Sequence, residues 1–112
     1  MLKILHSHTF TSTPALRAFA EQSIETQFSR FSSRVVSVNI YLSDVNGLRG
    51  GVDKRCGVEV GLTRRRRLFV EETRQDVYIS IGHAIERAAS AVEKTLERSK
   101  NRRTSEMFRR VA

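Results

Sequence analysis

The sequence predicts an α+β domain of two layers, in the order β-α-β-β-β-α, with a four-stranded sheet carrying two helices on one face. Three observations carry this expectation. Two long stretches repeat apolar residues at three and four residue steps, as helices lying on a core do. Several short stretches alternate apolar with polar or small residues, as strands with one buried face do. The length of 112 residues suits one core and is too short for two.

The opening "LKILHSHTF" is short, alternating and rich in β-branched and aromatic residues, which predicts a first strand over residues 2–9. In "TSTPALRAFAEQSIETQFSRF", Thr13 is placed to cap a helix and Pro14 suits its first position. Leu16, Phe19, Ala20, Ile24, Phe28 and Phe31 then form the apolar stripe. In "RVVSVNIYLSD" the alternation puts Val36, Val38, Ile40 and Leu42 on one face, and in "KRCGVEVGL" it does the same for Cys56, Val58, Val60 and Leu62. The glycine-rich "VNGLRGGVD" between them is a long hairpin connection. It lacks the lysine and serine or threonine of a phosphate-binding loop, and no helix opens after it.

A fourth strand, "LFVEE", follows the arginine run Arg64, Arg65, Arg66 and Arg67, with Leu68 and Val70 facing the same way as Leu62. Pairing Leu62 with Leu68 centres the turn on Arg65. A three-residue turn needs a residue in the left-handed region, which arginine tolerates poorly, so a looser turn of four or five residues is expected. The second helix starts at "TRQD", with Thr73 and Asp76 as a shortened capping box, and runs to about residue 100. Its stripe is Val77, Tyr78, Ile81, Ala84, Ile85, Ala88, Val92 and Leu96. Residues 1–103 form the domain, and 104–112 are expected to be a basic, frayed tail.

Charge points to a polyanion. The net formal charge is +8, with +1 in residues 1–53 and +7 in residues 54–112. Sixteen of the twenty cations are arginine, whose planar fork of donors matches phosphate oxygens and whose plane stacks on bases. Nucleic acid is therefore favoured over an acidic membrane. On the second helix, Arg87, Lys94 and Arg98 recur at steps of seven and four and project from one side. Lys100, Arg102 and Arg103 extend that charge along the helix end. Glu86, Glu93 and Glu97 precede the first three by one position, the pattern of a solvated surface laced with ion pairs. Lys54, Arg55 and the arginine turn tip the balance toward one continuous positive field.

Catalytic readings are weak. His6 and His8 share a face of the first strand, but no cysteine or carboxylate stands beside them at ligand spacing, so they are taken as strand histidines. Cys56 falls on the inward side of its strand as a small hydrophobe. Glu71 and Glu72 are adjacent and point to opposite faces. No enzyme, cofactor or small-molecule substrate is expected. A lone cysteine excludes an internal disulfide and fits a reducing, cytoplasmic setting. No apolar run approaches the roughly 18 to 20 residues of a membrane span, and the N-terminus lacks the marks of a signal peptide.

The element order, the basic last helix and the strings "TPALRAFAE", "RFSSRVVSVNIYLSD", "GGVDKRCGVEVGL" and "FVEETRQDVYISIGHAIERAASAVEK" together resemble the ribosome hibernation-promoting factor family. These proteins are also called ribosome-associated inhibitors or ribosomal subunit interface proteins. The resemblance covers residues 2–103. It implies binding to 16S-type rRNA of the small ribosomal subunit in the decoding region, occluding tRNA and mRNA and holding ribosomes idle under stress or in stationary phase. Arg87 and Lys94 fall where the family has basic helix positions facing rRNA, and Arg98, Lys100, Arg102 and Arg103 continue that basic end. The chain resembles the short form, without the C-terminal dimerisation domain of long-form members. Gly82 stands in place of the family's usual aspartate, the arginine run replaces a glycine-containing turn, and the loop at 45–53 is longer and richer in glycine, as in a divergent branch.

Three other readings compete. One is a general structured-RNA-binding module akin to a double-stranded RNA-binding domain, which lacks the leading strand. Another is an RNA-processing enzyme using His6 and His8. The last is a regulator whose basic helix meets an acidic partner. An exposed edge strand also allows weak self-association.

Overall fold

The computed structural model describes residues 1–7, 13–45 and 54–111, with side chains as far as Asn101. Its elements are β1 (Leu2–Ser7), α1 (Pro14–Phe28), β2 (Val35–Asp44), β3 (Lys54–Leu62), β4 (Arg66–Arg74) and α2 (Val77–Val111). This is the β-α-β-β-β-α order of a two-layer α+β fold. The sheet order is β1-β2-β3-β4, with β1 parallel to β2 and the other neighbours antiparallel. Residues 8 and 9 of the expected first strand, and residues 46–53 of the glycine-rich connection, lie outside the described residues.

The α1 start forms as its sequence dictates. Thr13 is extended, its Oγ1 accepts the Leu16 amide at 3.1 Å, and Pro14 occupies the first turn, where a missing N–H costs nothing. Leu16, Ala20, Ile24 and Phe28 are buried, one per turn of the inward stripe. Phe19, expected in that stripe, is instead 37% exposed and meets Tyr78 of α2 edge to face, with ring centroids 5.1 Å apart. Tyr78 lies outside the core for the same reason: the two rings flank the junction of the helices. A short 3-10 turn, Ser29–Phe31, leads out of α1.

The sheet's inner face is Val35, Val38, Ile40, Leu42, Cys56, Val58, Val60 and Leu62, all buried. Val36 was expected inward and is 56% exposed. A register shift between Val35 and Ser37 against β3 inserts one residue, so the alternation slips by one before Val38. On the other side of the core, Ile81, Ala84, Ile85, Ala88, Ala89 and Val92 of α2 are buried, and the alanines let the helix approach the sheet closely. Ser80 is buried as well. Its hydroxyl donates to the Lys54 carbonyl at 2.7 Å and lies 3.2 Å from the Asp76 carbonyl, which ties the helix start to β3.

Asp76 alone caps α2. Its Oδ1 accepts the amides of Tyr78 at 2.7 Å and Ile79 at 3.4 Å, whereas Thr73, expected to share the cap, is still in β4. The helix also outruns the expectation of an end near residue 100, since its backbone continues to Val111. The backbone stays helical although the apolar stripe of the sequence ends near Leu96, because the residues that follow are mostly good helix formers.

Cys56 is fully buried, and burial pushes its thiol up to about 12. The reactive thiolate is therefore scarce at neutral pH. Labelling native protein with a maleimide at pH 7.5 is expected to proceed at least about a hundredfold more slowly than in denaturant, and equal rates would contradict the inward placement.

Candidate nucleic-acid interface

Helix α2 runs antiparallel to β4 beneath the sheet, so Arg66 and Arg74 of β4 lie along the same flank as the α2 residues Arg87 and Ser99. Near the middle of that flank, Arg87 Nη1 donates to Glu72 Oε1 at 2.7 Å and to the Glu71 carbonyl at 2.9 Å. Arg74 lies 3.1 Å from Glu72 on its other side. Hydrogen bonding from Arg87, ahead of the nearby charges, holds the Glu72 carboxyl below the usual range. Arg87 is thus engaged by the protein itself. Its guanidinium closes an exposed strand edge and neutralises a mostly buried carboxylate.

At the far end of the flank the arginine turn meets the helix. Arg66 Nη1 donates to Ser99 Oγ, so the hairpin tip rests on the C-terminal half of α2. The turn is tighter than expected. Leu62 pairs with Arg66 and Val60 with Leu68, leaving only Thr63–Arg65 to connect them. Arg64 and Arg65 both stand in the left-handed region, with φ of 65° and 61°. Strand register decides this: Leu68 and Val70 reach the core only if they pair with Val60 and Val58, and three residues remain for the reversal. Each left-handed arginine costs about 1–2 kcal/mol. Replacing both with glycine is expected to raise stability by about 1 kcal/mol or more after the greater chain entropy of glycine is counted. Thermal unfolding is expected to shift up by about 4 °C per kcal/mol, and a lower Tm would refute the strained turn.

The run does not act as a block. Arg64 and Arg65 form the exposed tip, Arg66 turns to α2, and Arg67 lies on the open face of the sheet, 3.6 Å from Glu59. Lys94 and Arg98 are exposed on α2. Among the described residues, neither has an ion pair, and the same holds for Arg64 and Arg65. Lys100 is also exposed. Arg102 and Arg103 lie on the helical stretch whose side chains are not described. Among the described residues, Arg64, Arg65, Arg66, Lys94, Arg98 and Lys100 make a positive ridge from the turn along α2.

Lys54 and Arg55 are not part of it. They stand at the opposite end of β3, about 25 Å from the turn at 3.3 Å per residue, and Lys54 pairs with Asp44 at 2.7 Å. The single field expected from twelve cations therefore breaks up among the described residues into a ridge at one end, the Lys54–Arg55 pair at the other, and Arg67 and Arg87 each facing a carboxylate of the domain itself.

The open face of the sheet holds an aromatic row. His6 stacks on Tyr41 with centroids 4.7 Å apart and planes 7° from parallel, and His6 Nε2 lies 3.4 Å from Asn39 Oδ1. Phe69 leans over Gly57, where a Cβ would come within 2.8 Å of its ring. The one signal for the His6–Tyr41 stack was that both residues alternate onto the same face. His8 lies outside the described residues. No group of three or more metal-ligating side chains occurs among the described residues, and none of their helices is long and apolar enough to cross a membrane.

Known structures share this architecture. The N-terminal domain of Protein Y from Thermus thermophilus is 22% identical, covers 83% of this chain and 94% of its own, and superposes with a TM-score of 0.68. A ribosomal subunit interface protein from Coxiella burnetii is 15% identical, covers 87% of this chain and 99% of its own, with a TM-score of 0.72. At these identities the likeness is one of fold. Comparison with curated protein sequences gives no significant match. The profile of the sigma 54 modulation protein / S30EA ribosomal protein family matches residues 4–103, nearly the whole described domain, and the chain belongs to that family.

Proposed function

We propose that this protein binds rRNA of the small ribosomal subunit in the decoding region and, during stress or stationary phase, keeps ribosomes idle by filling space that tRNA and mRNA need. The carrying observation is the contact of Arg66 with Ser99, which joins the arginine turn to the basic end of α2 as one ridge. Along it, Lys94, Arg98, Arg64 and Arg65 have no ion-pair partner among the described residues, so their charge is available to phosphates. Family membership supports the ribosome as partner, and the name of the Coxiella burnetii neighbour agrees.

The mechanism is occlusion without bond making. Ridge cations displace counterions from the rRNA backbone, and a domain with one rigid core then blocks the path sterically. Recognition is of shape and phosphate more than of base edges. A general structured-RNA-binding module is the alternative, favoured to the extent that the ridge reads backbone alone. Sedimentation of the purified chain with small subunits through a sucrose gradient tests both. Comigration at about 0.1 M salt that is lost at high salt is expected, with an excess of unrelated structured RNA failing to compete. A chain that stays at the top of the gradient at every salt concentration would overturn the proposal, and full competition by unrelated RNA would favour the alternative.

A further inference from the structure

We propose that β4 is a self-complementary edge through which two copies of this chain pair antiparallel, with the two-fold axis at Phe69. The strand is the unpaired edge of the sheet beyond β3 among the described residues. The Glu71 carbonyl accepts from Arg87, so it points out of the sheet. In an antiparallel ladder, alternate residues share a direction, and Arg67, Phe69, Glu71 and Thr73 therefore present their amide groups outward. A two-fold axis at Phe69 pairs Phe69 with its own copy and Arg67 with Glu71 of the other copy, using only those outward residues.

Side chains agree with this register. "RRLFVEE", residues 66–72, reads as two cations, three apolar residues and two acids, so reversal about its centre places cation opposite acid at every charged position. On the open face, Arg67 meets Glu71 of the second copy. On the helix face, Arg66 meets Glu72, and Leu68 meets Val70, which borders a groove shared with Ser90 and Ala91 of α2. Charges on an edge strand ordinarily discourage pairing. In this register both cation–acid pairings form, while a shift by one residue keeps only one of them and a shift by two keeps neither, so the pattern favours this partner arrangement over its neighbours. The Glu71 carboxylate has no side-chain partner among the described residues, and Arg67 has only the long contact to Glu59. Pairing requires Arg87 to release the Glu71 carbonyl while keeping Glu72.

This inference does not depend on rRNA binding and is tested without RNA. Sedimentation velocity of the full chain at about 0.15 M salt is expected to reveal a dimer with a Kd below about 1 mM. Arg67→Glu and Glu71→Arg are each expected to weaken self-association at least tenfold. An equimolar mixture of the two variants is expected to restore a heterodimer of at least wild-type affinity, which also establishes that both are folded. A wild-type chain that stays monomeric to about 1 mM, or variants that dimerise as well as the wild type, would overturn the proposal.

Discussion

Replacing Arg66, Lys94 and Arg98 with glutamine is expected to lower affinity for small-subunit rRNA at least tenfold at about 50 mM salt, and to flatten the salt dependence. Each phosphate contact contributes roughly 0.7 to 0.9 to the slope of log K against log salt, so three lost contacts remove about 2 to 3 from it. The matching triple at Lys54, Arg67 and Arg87 is expected to change the slope by less than about 1. Those three already face Asp44, Glu59 and Glu72 at 2.7, 3.6 and 2.7 Å. A phosphate has to displace an existing carboxylate there before it gains anything. Filter binding across a salt series distinguishes the sets, and equal slopes for both would remove the ridge from its role. The Gly variants at 64 and 65 offer a further control, because they subtract charge while relieving backbone strain, and a loss of affinity in them cannot come from unfolding.

The second large effect is in the core. Phe28→Ala is expected to cost about 3–5 kcal/mol, a large share of the 5–15 kcal/mol typical of a domain. Phe28 is the bulkiest of the fully buried side chains and closes the inward stripe of α1, where the 3-10 turn prevents the backbone from collapsing into the space. Phe19→Ala, at a ring 37% exposed, is expected to cost less than about half as much. Urea denaturation followed by far-UV circular dichroism measures both, and similar losses would mean that the burial pattern is wrong.

Local patterns in the sequence carried most of the fold. Thr13 followed by Pro14 announces a helix start, and the spacing of Leu16, Ala20, Ile24 and Phe28 gives its buried face without knowledge of any neighbour. The same holds for the alternating Cys56, Val58, Val60 and Leu62. What stayed hidden depends on partners far along the chain. Val36 turns outward because β3 pairs on either side of it, which alternation within β2 cannot reveal. Arg64 and Arg65 take an unfavourable backbone because register elsewhere leaves three residues for the turn, so global pairing overrides local preference.

The site was legible as composition and not as geometry. Spacing placed Arg87, Lys94 and Arg98 on one side of α2, but only the packing of α2 against β4 brings Arg87 to Glu72 and Ser99 to Arg66. A carboxylate fifteen residues away along the chain gives no periodic signal. Neither does a strand edge that needs a cation to satisfy its carbonyl.

The parallel pairing of β1 with β2 imposes a schedule on biosynthesis. Leu2 to Ser7 are translated ahead of the other strands, yet their partners Ser37 to Leu42 emerge a full crossover later. Until then the nascent β1 has no neighbour, whereas β3 later folds back on β2, and β4 on β3, as each is completed, each step closing a short loop. Strand β1 therefore waits longer for its partner than any other strand of this sheet, an apolar thread held unpaired until β2 gives it a place at the rim.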